Sequence, residues 1–233
     1  LLLLPLHPQR MLRLAVTTNA ETFARVREPL ADRGIAVDHL QAKERSIPLT
    51  DDHTTASLDT DSGADVADFD VGLVYPGRLM EGAAITAGHE LPWVNDRTAV
   101  LSSRNKSGVR ATLADAGIDV PRSAMLSNPV DESAVVDAVT DLSFPVVVKP
   151  NSATRGVGVA KAGDLDSLLG VVDYLDLVHD FRSTGDKSYL IQEFLADARD
   201  YRAMVIDGDC VGGVERRLPD SLAAGRWKHN VHR

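Results

Sequence analysis

The sequence predicts an α/β protein in which a parallel-sheet lobe is followed by lobes that include antiparallel strands. Three observations predict it. From residue 11 to residue 96, strand-like and helix-like segments alternate, as in a parallel sheet with crossover helices. Late in the chain, two strand-like runs flank Gly208, with Asp207 and Asp209 beside it, which is a hairpin signature. At 233 residues the chain is long enough to divide into two or more lobes.

The elements follow in order. Residues 11–18, "MLRLAVTT", alternate and carry β-branched side chains, so a first strand is expected. Asn19 can cap the next helix, Pro29 should bend it and Gly34 should stop it. Residues 35–40 read as strand, and the polar, small, acidic stretch 50–65 as a loop or insertion. Residues 70–75 fit a buried strand, 76–90 a helix and 91–96 a short strand. One longer helix, 97–118, then carries the chain out of the first lobe. Strands are expected at 123–126, 144–150, 156–161 and 188–195, and helices at 131–142 and 164–181. The hairpin runs cover 200–207 and 210–218. This gives a leader over 1–10, an α/β domain over 11–96 and a connecting helix over 97–122. A small α+β lid follows over 123–195, and the start of a further lobe over 196–233.

Composition narrows the function classes. A net charge of −9 argues against a general binder of nucleic acid or membrane surfaces. Asp outnumbers Glu and there are only six lysines, a surface texture suited to high salt. The single Cys210 excludes an internal disulfide, fits a reducing cytoplasm, and is expected to be a small buried residue. Nothing approaches the roughly 20 apolar residues needed to span a bilayer. The opening "LLLLPLHPQR" has no basic start and is cut by Pro5, so it reads as a disordered leader or a mis-assigned start before Met11.

The stretch "NSATRGVGV", residues 151–159, directly follows the apolar run "FPVVVKP". It lacks the third glycine of a dinucleotide-binding fingerprint and the Gly-Lys-Ser/Thr ending of a P-loop. Strand-like residues stand on both sides, so the expectation is a hairpin that folds over phosphates with its backbone N–H groups facing the anion. Lys149, at the end of the preceding strand, would deliver an ammonium to the same place. His229 and His232 lie three apart near the end, but no Cys or acidic cluster accompanies them, which argues against zinc.

Taken together, "NKSG", "VVVKPNSATRGVG", "LIQEF", "DYR", "ERR" and "KHNVHR" resemble the ATP-grasp superfamily, and within it the RimK-like carboxylate–amine (alpha-L-glutamate) ligases. The resemblance runs from Arg97 to Arg233. It implies an ATP-grasp architecture with an N-terminal parallel α/β lobe, a lid and an incomplete antiparallel C-terminal lobe. It implies that Lys106 and Lys149 contact ATP phosphates, together with the loop residues Thr154, Arg155, Gly156 and Gly158. Glu193 and Phe194 would hold the adenine edge, and Asp200 the ribose. Lys228 and Asn230 would lie near phosphates and substrate, with Lys228 replacing the usual Arg and its two-pronged contact. Arg202, Arg217 and Arg233 would serve catalysis, one of Arg216 and Arg217 facing the cleft because strand neighbours point to opposite sides.

The implied chemistry is amide-bond formation in the cytoplasm. A carboxylate attacks the γ-phosphate of ATP, giving an acyl phosphate and ADP, and an amine then expels phosphate. No nucleophilic side chain is needed, only positive charge and donors around a crowded polyanion. Mg²⁺ is implied as well, with its Asp, Glu and Asn ligands expected beyond Arg233. The partners implied are glutamate or a similar amino acid, and an acceptor carboxylate on a small molecule, a carrier protein or a protein tail. A homo-oligomer is compatible with this. The alternatives are a nucleotide-binding module without turnover, and another branch such as the dipeptide ligases.

Overall fold

A computed structural model describes residues 11–17, 21–44, 46–47, 49, 60, 62–154, 156–178 and 186–217. It divides into two compact units, Leu1–Ser103 and Arg104–Arg233.

The first unit is built on a parallel sheet of four strands in the order β2-β1-β3-β4. These are β1 (Leu12–Val16), β2 (Ile35–His39), β3 (Val71–Leu73) and β4 (Trp93–Val94). The helix α1 (Glu21–Ala31) links β1 to β2, and α2 (Leu79–Gly88) links β3 to β4. Parallel neighbours require such crossovers, which is why strand and helix alternate in the sequence. Gly34 takes φ +72 just past α1, the left-handed conformation that ends a helix. Asn19, expected to cap α1, lies outside the described residues, as does most of the 50–65 stretch. Two glycines make room for the aromatic core. A Cβ on Gly72 would stand 2.4 Å from the Trp93 ring, and one on Gly82 would stand 2.6 Å from Tyr75. Those two rings meet edge to face with centroids 5.6 Å apart.

The single helix expected over 97–118 is two helices, α3 (Arg97–Arg104) and α4 (Lys106–Asp115). Asn105 breaks it. Its backbone leaves the helical region at φ −87, ψ 89, and its side chain accepts from the Gly108 N–H, so it caps a new start.

In the second unit, an antiparallel sheet runs in the order β5-β8-β6-β7. Its strands are β5 (Ser123–Ser127), β6 (Val146–Pro150), β7 (Ala160–Ala162) and β8 (Ser188–Glu193). Helices α5 (Glu132–Ala138) and α6 (Leu165–Val178) cover one face. Leu126, Val146, Val148, Ala162, Tyr189 and Ile191 form the core there with Val135, Leu168 and Val172. The strand expected over 156–161 begins only at Ala160, because Gly156 and Gly158 hold φ +72 and +71 in a turn. β8 ends at Glu193, one residue short of Phe194.

The late hairpin is β9 (Asp200–Ile206) against β10 (Asp209–Arg216). Asp207 and Gly208 join them with φ +51 and +86, the paired positive angles of a tight hairpin turn. A bulge at Cys210–Gly212 shifts the register. Cys210 is exposed, not buried as expected, because both faces of this two-stranded ribbon are largely open. Among the described residues, no helix is long and apolar enough to cross a membrane.

Candidate nucleotide site

Side chains alternate along a strand, and residues opposite one another in a ladder share a face. The α5/α6 core takes Val146, Val148, Tyr189 and Ile191. The other face therefore carries Ser123, Gln192, Val147 and Lys161 as one row across β5, β8, β6 and β7. Lys149 and Leu190 form the next row. Lys149 turns back along the face, and its Nζ donates to Gln192 Oε1 at 2.9 Å. The Lys161 ammonium lies 4.8 Å from the centroid of the Phe194 ring, a cation–π contact at the end of β8.

The glycine-rich stretch is a hairpin connection between the antiparallel strands β6 and β7. Within it Val157 N–H donates to Thr154 O at 3.2 Å, and Val159 N–H to Gly156 O at 3.4 Å. No helix begins at Gly156. Gly158 is required twice: by its positive φ, and because a Cβ would lie 2.7 Å from Pro150 Cγ. Arg155 lies outside the described residues.

The start of this loop is tied to the start of α4. Lys106 Nζ donates to Pro150 O at 3.0 Å, Asn151 O at 2.8 Å and Ala153 O at 2.5 Å. An ammonium has three donors, so all three are engaged. Buried Asn151 completes the tie. Its Oδ1 accepts from Ser107 N at 2.9 Å and Ser107 Oγ at 3.1 Å, and its Nδ2 donates to Asn105 Oδ1 at 3.1 Å. A lysine that read as an ordinary helix residue thus sits at the loop because Asn105 restarts the helix one residue before it.

Electrostatics sets these cations apart. Burial lowers the Lys106 pKa below the usual lysine range, and neighbouring Lys149 lowers it further, against a smaller opposing pull from Asp186. Burial also lowers Lys149, with Arg110 adding to the effect. Three cations therefore crowd one half-buried region of an acidic chain, an arrangement suited to a polyanion.

The remaining expected residues are placed as follows. Glu193 is engaged by Arg122: Arg122 N–H donates to Oε1 at 2.7 Å and Arg122 Nε to Oε2 at 3.3 Å. The backbone N–H from Arg122 is the leading cause of the lowered Glu193 pKa. Asp200 pairs with Arg216 across β9 and β10 at 2.5 Å, so its carboxylate is held by a guanidinium within the hairpin. Arg217 pairs with Glu215 and is otherwise exposed. Arg202 lies on the same face of the hairpin as Asp200 and Arg216 and is exposed. Lys228, Asn230 and Arg233 lie outside the described residues. Asn151, Gln192, Arg110 and Lys161 were not singled out from the sequence. Only Arg110, one helical turn after Lys106, left a readable signal.

Among the described residues, no three His, Cys, Asp or Glu side chains are grouped so that they could hold a metal ion.

The fold is that of the ATP-grasp ligases. A RimK domain ATP-grasp protein of Sphaerobacter thermophilus superposes with a TM-score of 0.61 at 21% identity, over 88% of this chain and 72% of that one. D-alanyl-alanine synthetase A of Vibrio cholerae gives 0.62 at 14% identity, over 91% and 68%. Within that class the chain belongs to the RimK-like ATP-grasp domain family, which residues 103–233 match; the family uses ATP. Similar curated proteins include a probable alpha-L-glutamate ligase of Shewanella halifaxensis, 29% identical over 68% of this chain and 33% of that protein. A ribosomal protein bS6–L-glutamate ligase of Escherichia fergusonii is 31% identical over 60% of this chain and 43% of that protein. The chain thus spans less than half the length of these relatives.

Proposed function

We propose that this protein is an ATP-dependent carboxylate–amine ligase that adds glutamate, or a similar amino acid, to an acceptor carboxylate through an acyl phosphate. The observation that carries this is the meeting of Lys106 and Lys149 beside a glycine-bearing hairpin, both with lowered pKa values, in a member of the family. In this reading the two lysines and residues 151–158 hold the phosphates. Phe194 and Glu193 border the adenine, and Asp200, freed from Arg216, meets the ribose. Lys106 reaches phosphate by giving up at least one of its three loop carbonyls. The hairpin closes over the reacting end and keeps water from the acyl phosphate. Arg202, Arg217 and Arg233 offset the charge that develops on phosphoryl transfer. Mg²⁺ bound with the nucleotide would spread that charge further.

Acceptor selection is assigned to the first unit. Val74, at the carboxyl end of β3, holds φ +61, which is strained for a β-branched residue, and accepts from Thr17 Oγ1 at 2.6 Å. Carboxyl ends of parallel strands are where such sheets bind ligands. The name of the bS6 ligase makes a protein acceptor the first candidate.

The test is ADP release by the protein with ATP, Mg²⁺, glutamate and a panel of protein and small-molecule acceptors. Release that needs both amine and acceptor, and is lost in Lys149→Ala, is expected. ATP binding without release across the panel would favour a nucleotide-binding module instead.

A further inference from the structure

We propose that Arg110 is a third nucleotide-contacting cation and that it meets the phosphate nearest the ribose. This rests on the ligase reading above and adds a residue to its site.

Four observations carry it. Arg110 lies four residues after Lys106 on α4, so both side chains share one helix face. One arm of its guanidinium is fixed: Nη2 donates to Pro121 O. A guanidinium has five donors, so this anchor leaves most of the fork for another partner. Pro121 immediately precedes Arg122, which holds Glu193, and Ser123, which stands opposite Gln192, the acceptor for Lys149. The fork is thereby set at the end of the sheet where β8 runs into Phe194. Its charge is felt on both sides, helping to lower the pKa of Lys149 and, as a smaller cause, that of Glu193.

Arg110 also makes no ion pair with any carboxylate among the described residues. A half-buried guanidinium crowding a lysine, with the nearby Glu193 carboxylate already engaged by Arg122, is a repulsive arrangement that an anion relieves. The loop lies past one end of β6, while Arg110 is anchored before the start of β5, at the opposite end of the sheet. A nucleotide with its base at Phe194 and its tail under the loop would run between them. The group it offers near the base is the α-phosphate.

The experiment compares binding of adenosine, AMP, ADP and ATP to the unaltered protein and to Arg110→Gln and Arg110→Lys. Gln retains a donor for Pro121 O without the charge, and Lys retains the charge. Expected for Arg110→Gln is a loss of about tenfold, equal for AMP, ADP and ATP, with adenosine unchanged and thermal unfolding unaltered. Arg110→Lys should recover part of the loss. Equal weakening of adenosine, weakening of ATP with AMP untouched, or no change at all would overturn the proposal. Failure of the unaltered protein to bind any of the four would instead remove the ligase reading, and this inference with it.

Discussion

Lys149 shows how little a single side chain must do when its surroundings are prepared. Its ammonium is half-buried, oriented by Gln192 and repelled by Arg110, so it gains from a phosphate what it loses in the empty protein. Lys149→Ala should weaken ATP by roughly 1.5 kcal/mol, the lower end for a contact to a charged group, with the fold intact; calorimetry measures it. The pH dependence has a fixed sign. A lysine whose folded pKa is lowered binds phosphate fully while protonated, so ATP affinity should fall as pH rises, beginning below 10.5. The same lowering costs stability at neutral pH, and that cost fades as pH rises toward 10.5. Gly158 works through shape. Gly158→Ala meets both a positive φ and Pro150, so a loss of about 1–3 kcal/mol in urea unfolding is expected, together with weaker ATP binding.

At the scale of elements, the restart at Asn105 matters most. It converts a connecting helix into a device that plants Lys106 at the loop. Removing the cap in Asn105→Ala should cost about 0.5–2 kcal/mol and also deprive Asn151 Nδ2 of its acceptor, so ATP affinity should fall more than stability alone accounts for. An ATP affinity equal to that of the unaltered protein would show that the cap does not position Lys106. The hairpin β9–β10 is the opposite case. A two-stranded ribbon with both faces open is marginal in water. Its amides should exchange with deuterium well before those of β6 and β8, as read by mass spectrometry. Much of this was legible in the sequence. The alternation from β1 to β4, the β6 strand with Lys149 next to its end and the turn at Gly208 all follow from local chemistry. The break at Asn105 was not, because the local pattern fits a continuous helix equally well, and the bond that Asn151 Nδ2 donates to Asn105 Oδ1 comes from a residue far away in the chain. The lengths of β7 and β8 were overestimated for a related reason: positive φ at Gly156 and Gly158 is set by closure of the loop, and β8 ends where its neighbours β5 and β6 stop pairing.

Across the whole molecule, the acidic charge and the basic site oppose one another. A chain with 34 acidic against 25 basic residues should repel ATP except where its cations gather. Of six lysines, three, Lys106, Lys149 and Lys161, lie on the candidate site of the second unit, while Lys43 is exposed in the first. That scarcity gives the protein a distinctive reactivity. An amine attacks an acylating reagent only when neutral, and Lys106 and Lys149 lose their protons more readily than a solvated lysine. Treatment with an amine-reactive ester, followed by peptide mapping, should therefore show ATP slowing modification at Lys106, Lys149 and Lys161 while leaving Lys43 unchanged. With only six lysines in the whole chain, an ordinary reagent becomes a footprint of the nucleotide, read at a handful of positions.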